Sequence, residues 1–350
     1  MISIREAFPA DNEGLLQLTS MTPMKGRISL RVDRNPDFFG LLSKRGDYKV
    51  FIAENGKTVV GCFSVSDNET MVNGNIERVY YLADLKIHPS FEGKILTARL
   101  LNTMHNYIRS SGADLLFCTA VYGNKKVMPL FEGRAGFPEF DFAGTFRVYQ
   151  IIPLIKRNHT HKYTISETTI NNEIADLYNQ FNSRYHFAPL LSPQSLTETR
   201  TITAFYNNTL VASLTLTDIG MLKQNVLIGL PFILKITISV LRFLNKIVPV
   251  INLPEVEKPV KVLYIKAFAY KNGSEDAFET LILQARKIAY LEKYCYLTIG
   301  IHEKDPVARF FVKYLHFTFQ SLGFILSMHG NREKINNILN GILFEDYSLI

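Results

Sequence analysis

Gly93 lies between a strand pattern and a helix pattern, at a position where backbone N–H groups can bind phosphate. Residues 80–87 are mostly apolar and predict a strand, which Pro89 ends because proline has no N–H for the next ladder position. Apolar side chains then recur at spacings of three and four in residues 96–108, which predicts an amphipathic helix. The first N–H groups of such a helix lack intrahelical partners and lie at the positive end of its dipole, so the turn suits a phosphate or pyrophosphate.

A second strand and a short helix complete this unit. Residues 115–121 predict the strand, Asn124 follows it, and residues 130–137 read Leu-Phe-Glu-Gly-Arg-Ala-Gly-Phe. In this order and spacing the region resembles the GNAT superfamily of coenzyme A-dependent N-acetyltransferases. In that family a strand ending before proline leads into a glycine-containing loop, whose amides hold the cofactor pyrophosphate.

The resemblance implies a cofactor and the residues that bind it. Acetyl-CoA, or another acyl-CoA, would lie between the strands of residues 80–87 and 115–121. The N–H groups of residues 93–98 would hold the pyrophosphate, and backbone near Leu85 and Ile87 would pair with the pantetheine. The implied cofactor-binding residues are Leu85, Ile87, Gly93, Lys94, Ile95, Leu96, Thr97, Ala98 and Asn124.

Some residues depart from the family pattern. Glu92 stands where the family has Arg or Gln, and Ile95 and Thr97 replace loop glycines. Phe131 stands where many members have a tyrosine that protonates the leaving thiolate, and a phenyl ring has no proton to give. These departures favour the alternative of a binding or scaffold protein that keeps the fold without catalysis.

Catalysis by an active protein would need a group that removes a proton from the attacking amine. Asp84 and Tyr122 are the nearest candidates by strand position, and Glu54 is a weaker one. Tyr122 could also replace the missing proton donor. Asp84 fits equally well as a structural carboxylate paired with Lys86 or Arg78.

The chain contains an internal repeat. Residues 202–218 (ITAFYNNTLVASLTLTD) align without a gap on residues 51–67 (FIAENGKTVVGCFSVSD), and both read as hairpins. Residues 260–270 parallel the first unit's strand, and Gly273 precedes a helix that carries Glu275 and Asp276 in its first turn. Further along, residues 319–324 repeat the Gly-Phe that ends the short helix of the first copy, and residues 341–350 supply a last strand.

The repeat predicts an α+β fold of two tandem GNAT-like domains, each with a mixed, mostly antiparallel twisted sheet flanked by helices. Residues 1–156 form the acyl-CoA-binding domain, and residues 157–350 form a degenerate copy. Two carboxylates at its helix N-terminus would repel a pyrophosphate, so we expect this copy not to bind coenzyme A.

The second copy carries an apolar insertion, residues 219–258, expected to be helical. On a helix its three central cations share one narrow face, and the other faces are apolar. Such a surface must be buried between domains or subunits, by an apolar substrate or at a membrane interface. Peripheral membrane or dimer contact through residues 223–258 therefore stays open. The cations are Lys235, Arg242 and Lys246.

Composition narrows the class of protein. The net charge is +7, but basic residues occur in pairs rather than runs, so no nucleic-acid partner is expected. Cys62, Cys118 and Cys295 are far apart, which indicates neither a disulfide framework nor a zinc site. No metal is expected, and the N-terminus does not read as a signal peptide, so the expected compartment is the cytoplasm.

The predicted function is acyl-CoA-dependent acylation of a small amine or apolar acceptor in the N-terminal domain.

Overall fold

The computed structural model describes residues 2–24, 29–92, 94–124, 127–133, 137–154, 162–229 and 252–350. The helices are α1 (Asn12–Met21), α2 (Gly40–Ser43), α3 (Lys94–Ser110), α4 (Met128–Phe131), α5 (Asn172–Asn182), α6 (Glu275–Leu291) and α7 (Arg332–Asn340). The strands are β1 (Ile2–Glu6), β2 (Ser29–Asp33), β3 (Asp47–Asn55), β4 (Thr58–Val72), β5 (Asn75–Ile87), β6 (Leu115–Val121), β7 (Asp141–Ile151), β8 (Thr164–Thr168), β9 (Phe187–Pro189), β10 (Arg200–Tyr206), β11 (Thr209–Thr217), β12 (Gln224–Gly229), β13 (Val262–Tyr270), β14 (Tyr296–His302) and β15 (His316–Ser327). Short 3₁₀ helices span Pro9–Asp11, Pro89–Phe91, Gln194–Leu196 and Pro306–Phe310.

Thirteen of these strands form one continuous mixed sheet. Its order is β1-β3-β4-β5-β6-β15-β7-β14-β13-β11-β10-β8, with β9 paired to the end of β4. The β5–β6 and β13–β14 pairs are parallel, and the other described pairs are antiparallel. β2 and β12 pair in a separate small sheet. The predicted α+β class, with a mixed sheet flanked by helices, is confirmed.

Strand β6 shows how the sheet buries both of its faces. Leu116 and Cys118 join the core under α3, whereas Leu115 and Phe117 join the core under α7, as the period of two along a strand requires. The apolar side chains of α3 recur every three or four residues and so lie on one face of the helix. That face packs on the sheet and is fully buried. Each such buried aliphatic side chain contributes about 1.5–3 kcal/mol to stability.

The two halves of the chain exchange their last strands. β15, from the C-terminal half, lies between β6 and β7, and β7, from the N-terminal half, pairs with β14 on its other side. The two halves therefore share one sheet and its hydrogen bonds. The predicted domain boundary between residues 156 and 157 lies outside the described residues and stays a prediction.

This exchange corrects two predictions about the second copy. Residues 319–324 belong to β15 and do not end a helix. Gly323 is needed because a Cβ there would lie 2.9 Å from Cε2 of Phe146, and Phe324 stacks on Phe131 with ring centroids 4.2 Å apart. The Gly-Phe pair thus serves packing against the first half.

The chain after Gly341 does not form the predicted last strand, since β15 already holds that place in the sheet. Leu343 makes one isolated bridge to Phe187, and Tyr347 lies on β14. A Cβ at Gly300 would be 2.0 Å from Cδ2 of Tyr347, so only glycine leaves room for this ring. The C-terminal residues thereby cover the middle of the sheet on the face opposite α3.

The repeated hairpins have the same register and the same irregularity. In β3–β4 the pairing shifts after Ala53 and leaves Val60 unmatched, and in β10–β11 it shifts after Ala204 and leaves Val211 unmatched. The carbonyl of Val60 accepts a hydrogen bond from the N–H of the residue after β5 (2.9 Å), and that of Val211 accepts one from the residue after β13 (2.8 Å). These matched bulges favour the duplication predicted from the gapless alignment.

The described part of the insertion is not helical. Lys223 is buried, and residues 224–229 form β12, which pairs with β2 of the N-terminal half. The expected helix is therefore wrong for residues 219–229, where pairing with another strand satisfies the backbone. Residues 230–251, including Lys235, Arg242 and Lys246, lie outside the described residues, so the membrane or dimer contact stays a prediction. Among the described residues, no helix combines the length and apolar character needed to span a bilayer.

Candidate functional site

Strands β5 and β6 diverge next to the start of α3. Their parallel ladder pairs Val79 with Leu115 and ends at Leu82 with Cys118, although β5 continues to Ile87. Residues 83–87 of β5 and 119–121 of β6 therefore continue without pairing to each other. Helix α3 begins at Lys94, and its first turn carries no acidic residue. A strand edge and a helix N-terminus thus lie in sequence along one cleft, an arrangement suited to a chain-like ligand that ends in phosphates.

Most of the predicted cofactor-binding residues lie on β5, on the first turn of α3 and just after β6, and their role stays a prediction. Leu85 and Ile87 are half-buried on β5, Leu96 points from α3 into the core, and Ile95 is 80% exposed on the first turn of α3. Thr97 and Ala98 follow on the same turn, and Asn124 lies just after β6, where its carbonyl accepts hydrogen bonds from the N–H groups of Val127 and Met128. Gly93 and the side chain of Lys94 lie outside the described residues.

The corresponding region of the C-terminal half differs in charge and in side-chain packing. The β13–β14 ladder ends early, at Tyr264 with Thr298, but α6 begins with Glu275 and Asp276. Aromatic rings pack together near the start of α6, with centroid distances of 5.0 to 5.8 Å. Carboxylates repel phosphates, and the rings occupy the space beside the helix, so the two clefts differ in charge and in shape. The rings belong to Tyr270, Phe278 and Phe310.

Asp84 lies in a bulge of β5, just beyond the end of the ladder with β6. Its φ of 54° is in the left-handed region, and the pairing with β4 shifts beside it. Its carboxylate is 7% exposed and accepts hydrogen bonds from Arg34 at 3.0 and 3.2 Å and from the Ser64 hydroxyl at 3.0 Å. Burial would raise the pKa of Asp84, but the charges of Arg34 and Lys86 and the Ser64 hydrogen bond hold it below its ordinary value.

The partner of Asp84 differs from both alternatives in the sequence analysis. Arg78 pairs with Asp67, and Lys86 acts on Asp84 only as a nearby charge. Arg34 comes from the segment between β2 and α2, which had no decodable pattern. No local signal joins two residues that are 50 positions apart, so the pair becomes visible only in the folded chain.

Tyr122 follows the last residue of β6. Its N–H donates to the carbonyl of Gln320 on β15 (2.9 Å), and the residue is 66% exposed. Phe131, by contrast, is buried against Phe324 and Phe140. The exposed phenol of Tyr122 is thus held at the cleft end of β6 by a backbone hydrogen bond, whereas the phenyl ring of Phe131 is part of the core.

A set of buried charged side chains surrounds Asp84 on the sheet face opposite α3, and we call it the charged cluster. Arg45 donates to Glu345 at 3.0 Å, and its guanidinium carbon lies 3.6 Å from the centre of the Tyr81 ring. Lys266, in a bulge of β13, donates to Asp346 at 2.8 Å. The cluster consists of Arg34, Arg45, Asp84, Lys223, Lys266, Glu345 and Asp346, all less than a tenth exposed.

Several pKa values in the charged cluster are displaced. Burial, followed by the charge of Arg34, lowers the pKa of Lys223 to about 7. Burial raises the pKa of Glu345 despite its contact with Arg45. Burial also acts to raise that of Asp346, but Lys266 holds it below its ordinary value. Perturbed groups of this kind concentrate where proteins bind ligands or do chemistry.

The charged cluster joins the two halves of the chain at the end of the β5–β6 ladder. Lys223 immediately precedes β12, and its ammonium donates to the carbonyl oxygens of Ser348, at 3.4 Å, and Ile350. Glu345 and Asp346 come from the last residues of the sequence. Sequence reasoning did not single out Lys223, Glu345 and Asp346, because none of them belongs to the repeated strand–turn–helix pattern. Within the described ranges, no group of three or more His, Cys, Asp and Glu side chains is arranged to hold a metal ion.

Comparisons with known proteins agree with this geometry. Residues 15–137 match the model of the acetyltransferase (GNAT) family. No curated protein matches the sequence.

Solved structures resemble the chain over nearly all of its length. The N-myristoyltransferase of Saccharomyces cerevisiae with bound myristoyl-CoA has a TM-score of 0.62 at 11% identity, covering 93% of this chain and 82% of that chain. A GCN5-related N-acetyltransferase from Anabaena variabilis has a TM-score of 0.58 at 11% identity, with coverage of 94% and 73%. A protein of unknown function from Enterococcus faecalis, described as a probable N-acyltransferase, has a TM-score of 0.54 at 9% identity, with coverage of 94% and 73%. At these identities the likeness shows the fold, and it extends over both halves.

Proposed function

We propose that the protein is an acyl-CoA-dependent N-acyltransferase with its active site in the N-terminal half, where residues 15–137 match the model of the acetyltransferase (GNAT) family. One observation carries the proposal. The β5–β6 ladder ends at Leu82 and Cys118, so the free edge of residues 83–87 leads directly to the acid-free first turn of α3. The C-terminal half lacks this combination, and we propose that it does not bind the cofactor.

In the proposed complex the pantetheine runs along the edge of residues 83–87, and the pyrophosphate binds the N–H groups at the start of α3. Asn124 holds the far end of the cofactor. This order places the thioester where β5 and β6 separate, beside Asp84.

The reaction breaks the thioester C–S bond and forms an amide C–N bond. The neutral amine attacks the thioester carbonyl, loses one proton, and releases the coenzyme A thiolate, which takes up a proton. We propose that Asp84, ionised at neutral pH, accepts a hydrogen bond from the attacking nitrogen and orients it, and that the proton passes on to water because the lowered pKa of Asp84 makes it a weak base. Tyr122, whose phenol is exposed at the end of β6, is the proposed donor to the thiolate.

The charged cluster would assist the attack in a second way. A positive charge beside a bound amine disfavours its ammonium form and lowers its pKa, as Arg34 does for Lys223. Arg34, Lys223 and Arg45 would therefore increase the fraction of acceptor that is neutral and nucleophilic.

Acetyl is the simplest acyl group for this cleft, and a longer chain is the second candidate. The neighbour from Saccharomyces cerevisiae was solved with myristoyl-CoA, and its likeness covers 93% of this chain. That relationship favours testing acyl chains from two to fourteen carbons rather than acetyl alone.

Titration calorimetry with acetyl-CoA and myristoyl-CoA tests the proposal, followed by detection of thiol release in the presence of mixed amines. We expect binding of one of the two at micromolar concentration and thiol release that depends on the amine. Binding without turnover for any amine would favour the scaffold alternative. Absence of binding to both thioesters would contradict the proposed function.

A further inference from the structure

Two arginines of the charged cluster keep hydrogen-bond donors that have no partner among the residues the structure describes. Arg34 donates to Asp84 through Nη2, and its Nε and Nη1 atoms are buried without a partner. Arg45 donates to Glu345 through Nη1, and its Nη2 atom is buried without a partner. The two residues are 5% and 7% exposed. Buried donors in folded proteins are almost always paired, so these atoms point to a partner from outside the chain.

The charges around these donors favour an anion as that partner. The described cluster sets the cations Arg34, Arg45 and Lys266 against three carboxylates, and Lys223 adds a fourth cation when it is protonated. Lys223 lies close enough to Arg34 and Arg45 for both to lower its pKa. A buried anion is stabilised only where it meets hydrogen-bonded cations, and a planar guanidinium matches a carboxylate in shape.

The unpaired donors lie beside the proposed reaction centre. Arg34 contacts Asp84 directly, and Asp84 lies in the bulge at which β5 and β6 part. In the proposed complex, one small molecule could therefore contact Arg34 at one end and the thioester at the other. Both arginines are less than a tenth exposed, and Arg45 pairs with Glu345 of the C-terminal residues, so a ligand that reaches them has to be small.

We infer that the acceptor is a small amine that also carries a carboxylate, of the free amino-acid class. The inference rests on the proposed function. The carboxylate binds the unpaired donors of Arg34 and Arg45, and the amine attacks the thioester beside Asp84. The amine loses one proton, the acyl C–S bond breaks, and the products are an N-acyl amino acid and coenzyme A.

Matched acids and amides test this inference. The twenty common amino acids and their carboxamides are offered with the acyl-CoA that binds, and thiol release and product mass are measured. We expect at least one amino acid to be acylated, and its carboxamide to show kcat/KM lower by about 10-fold or more, because the charge-assisted hydrogen bonds are lost. Equal acylation of acid and amide would show that water alone pairs with the arginines, and would overturn the inference.

Two charge-conserving variants localise the site. Arg34→Lys and Arg45→Lys keep a cation opposite Asp84 and Glu345 but remove the unpaired guanidinium donors. We expect each to raise KM for the acid by about 10-fold while leaving the Kd of the acyl-CoA unchanged. Arg78→Lys, at the exposed pair with Asp67, is the control and should leave KM unchanged. An unchanged KM in both cluster variants would contradict the assignment.

Direct binding keeps the inference testable if no acyl-CoA binds. Saturation-transfer NMR of each acid and its amide is recorded with the full-length protein alone, and thermal unfolding confirms that the variants are folded. Transfer to the acid but not the amide, lost in Arg34→Lys, would support the carboxylate site even if the proposed function failed. No transfer to any acid would overturn the inference, whatever the outcome with acyl-CoA.

Discussion

Arg34 and Asp84 illustrate how burial sets the role of a single ion pair. Their side chains are 6% and 7% exposed, and Arg34 also lies over the ring of Phe38. When two buried charges hydrogen-bond to each other, their attraction offsets much of the free-energy cost of removing them from water. A single buried charge has no such compensation. The pair therefore fixes the carboxylate at the bulge and makes each partner depend on the other.

Removing one partner of this ion pair should lower the free energy of unfolding. Arg34→Met leaves the Asp84 carboxylate buried without its cation, and we expect a loss of about 3–5 kcal/mol in the free energy of unfolding. Arg78→Met removes an arginine that is 53% exposed and should cost about 0–1 kcal/mol. Urea unfolding of both variants measures the difference. Equal losses would show that the Asp84 site is open to solvent.

Lys223 should make stability depend on pH. The pKa of the folded residue is about 7 and its ordinary value is 10.5. Between these values the unfolded chain binds the proton and the folded chain does not, so stability rises with pH. Relative to Lys223→Met, the wild type should gain at most about 1.4 kcal/mol per pH unit between about pH 7 and pH 9.

Urea unfolding across that pH range checks the slope. Lys57→Met, at the exposed turn between β3 and β4, is the control, and its stability should follow that of the wild type across the range. A constant difference between wild type and Lys223→Met would contradict the lowered pKa.

At the scale of elements, α3 and α6 differ in their first turns. Both are amphipathic and 17 residues long, but α3 has no acidic residue there and α6 has two. Acidic side chains stabilise the N-terminus of an isolated helix. Their absence from α3 gives up that stabilisation and leaves the positive end of the helix available for an anionic ligand.

An acid introduced into this turn should weaken cofactor binding without unfolding the helix. Ile95 is 80% exposed, and Ile95→Glu places a negative charge at the proposed pyrophosphate site. We expect the Kd for coenzyme A to rise by about 3- to 10-fold at low salt, and by less at high salt. Titration calorimetry measures this change. Ile76→Glu, at an exposed position of β5, is the control. Indistinguishable Kd values for the two variants would place the pyrophosphate elsewhere.

At the scale of the whole molecule, the exchange of β7 and β15 makes each half depend on the other. Without β15, both β6 and β7 lose a hydrogen-bonded neighbour in the centre of the sheet. The charged cluster adds further contacts, since Arg45 of the first half pairs with Glu345 of the second. We therefore expect the chain to fold as one cooperative unit.

Separated halves test this coupling. Residues 1–154 expressed alone should show no cooperative unfolding transition, whereas coexpression with residues 162–350 should give a stable complex. Circular dichroism during thermal unfolding and size-exclusion chromatography check both outcomes. A cooperative transition in the isolated first half would mean that β7 can pair directly with β6, and that the exchange does not couple the halves.

The sequence was sufficient for the features that depend on neighbours along the chain. The apolar run of β6, the period of 3.6 in α3 and the stop at Pro89 act locally, so the strand–turn–helix unit could be predicted. The gapless repeat likewise predicted both hairpins, since each is closed by its own turn. The Gly-Phe pair of β15 shows the limit of prediction from sequence. A match of two residues does not distinguish the end of a helix from a position inside a sheet.

Only the tertiary structure decided which strands neighbour one another at the centre of the sheet and which charges meet there. The ion pairs of Asp84 with Arg34 and of Arg45 with Glu345 join residues 50 and 300 positions apart. The strength of such pairs, and the pKa values they set, depend on removal from water, which no single segment of sequence specifies. The amino-acid sequence thus determined the local architecture of the proposed cofactor site, while the folded chain alone determined the charged surroundings in which an acceptor would react.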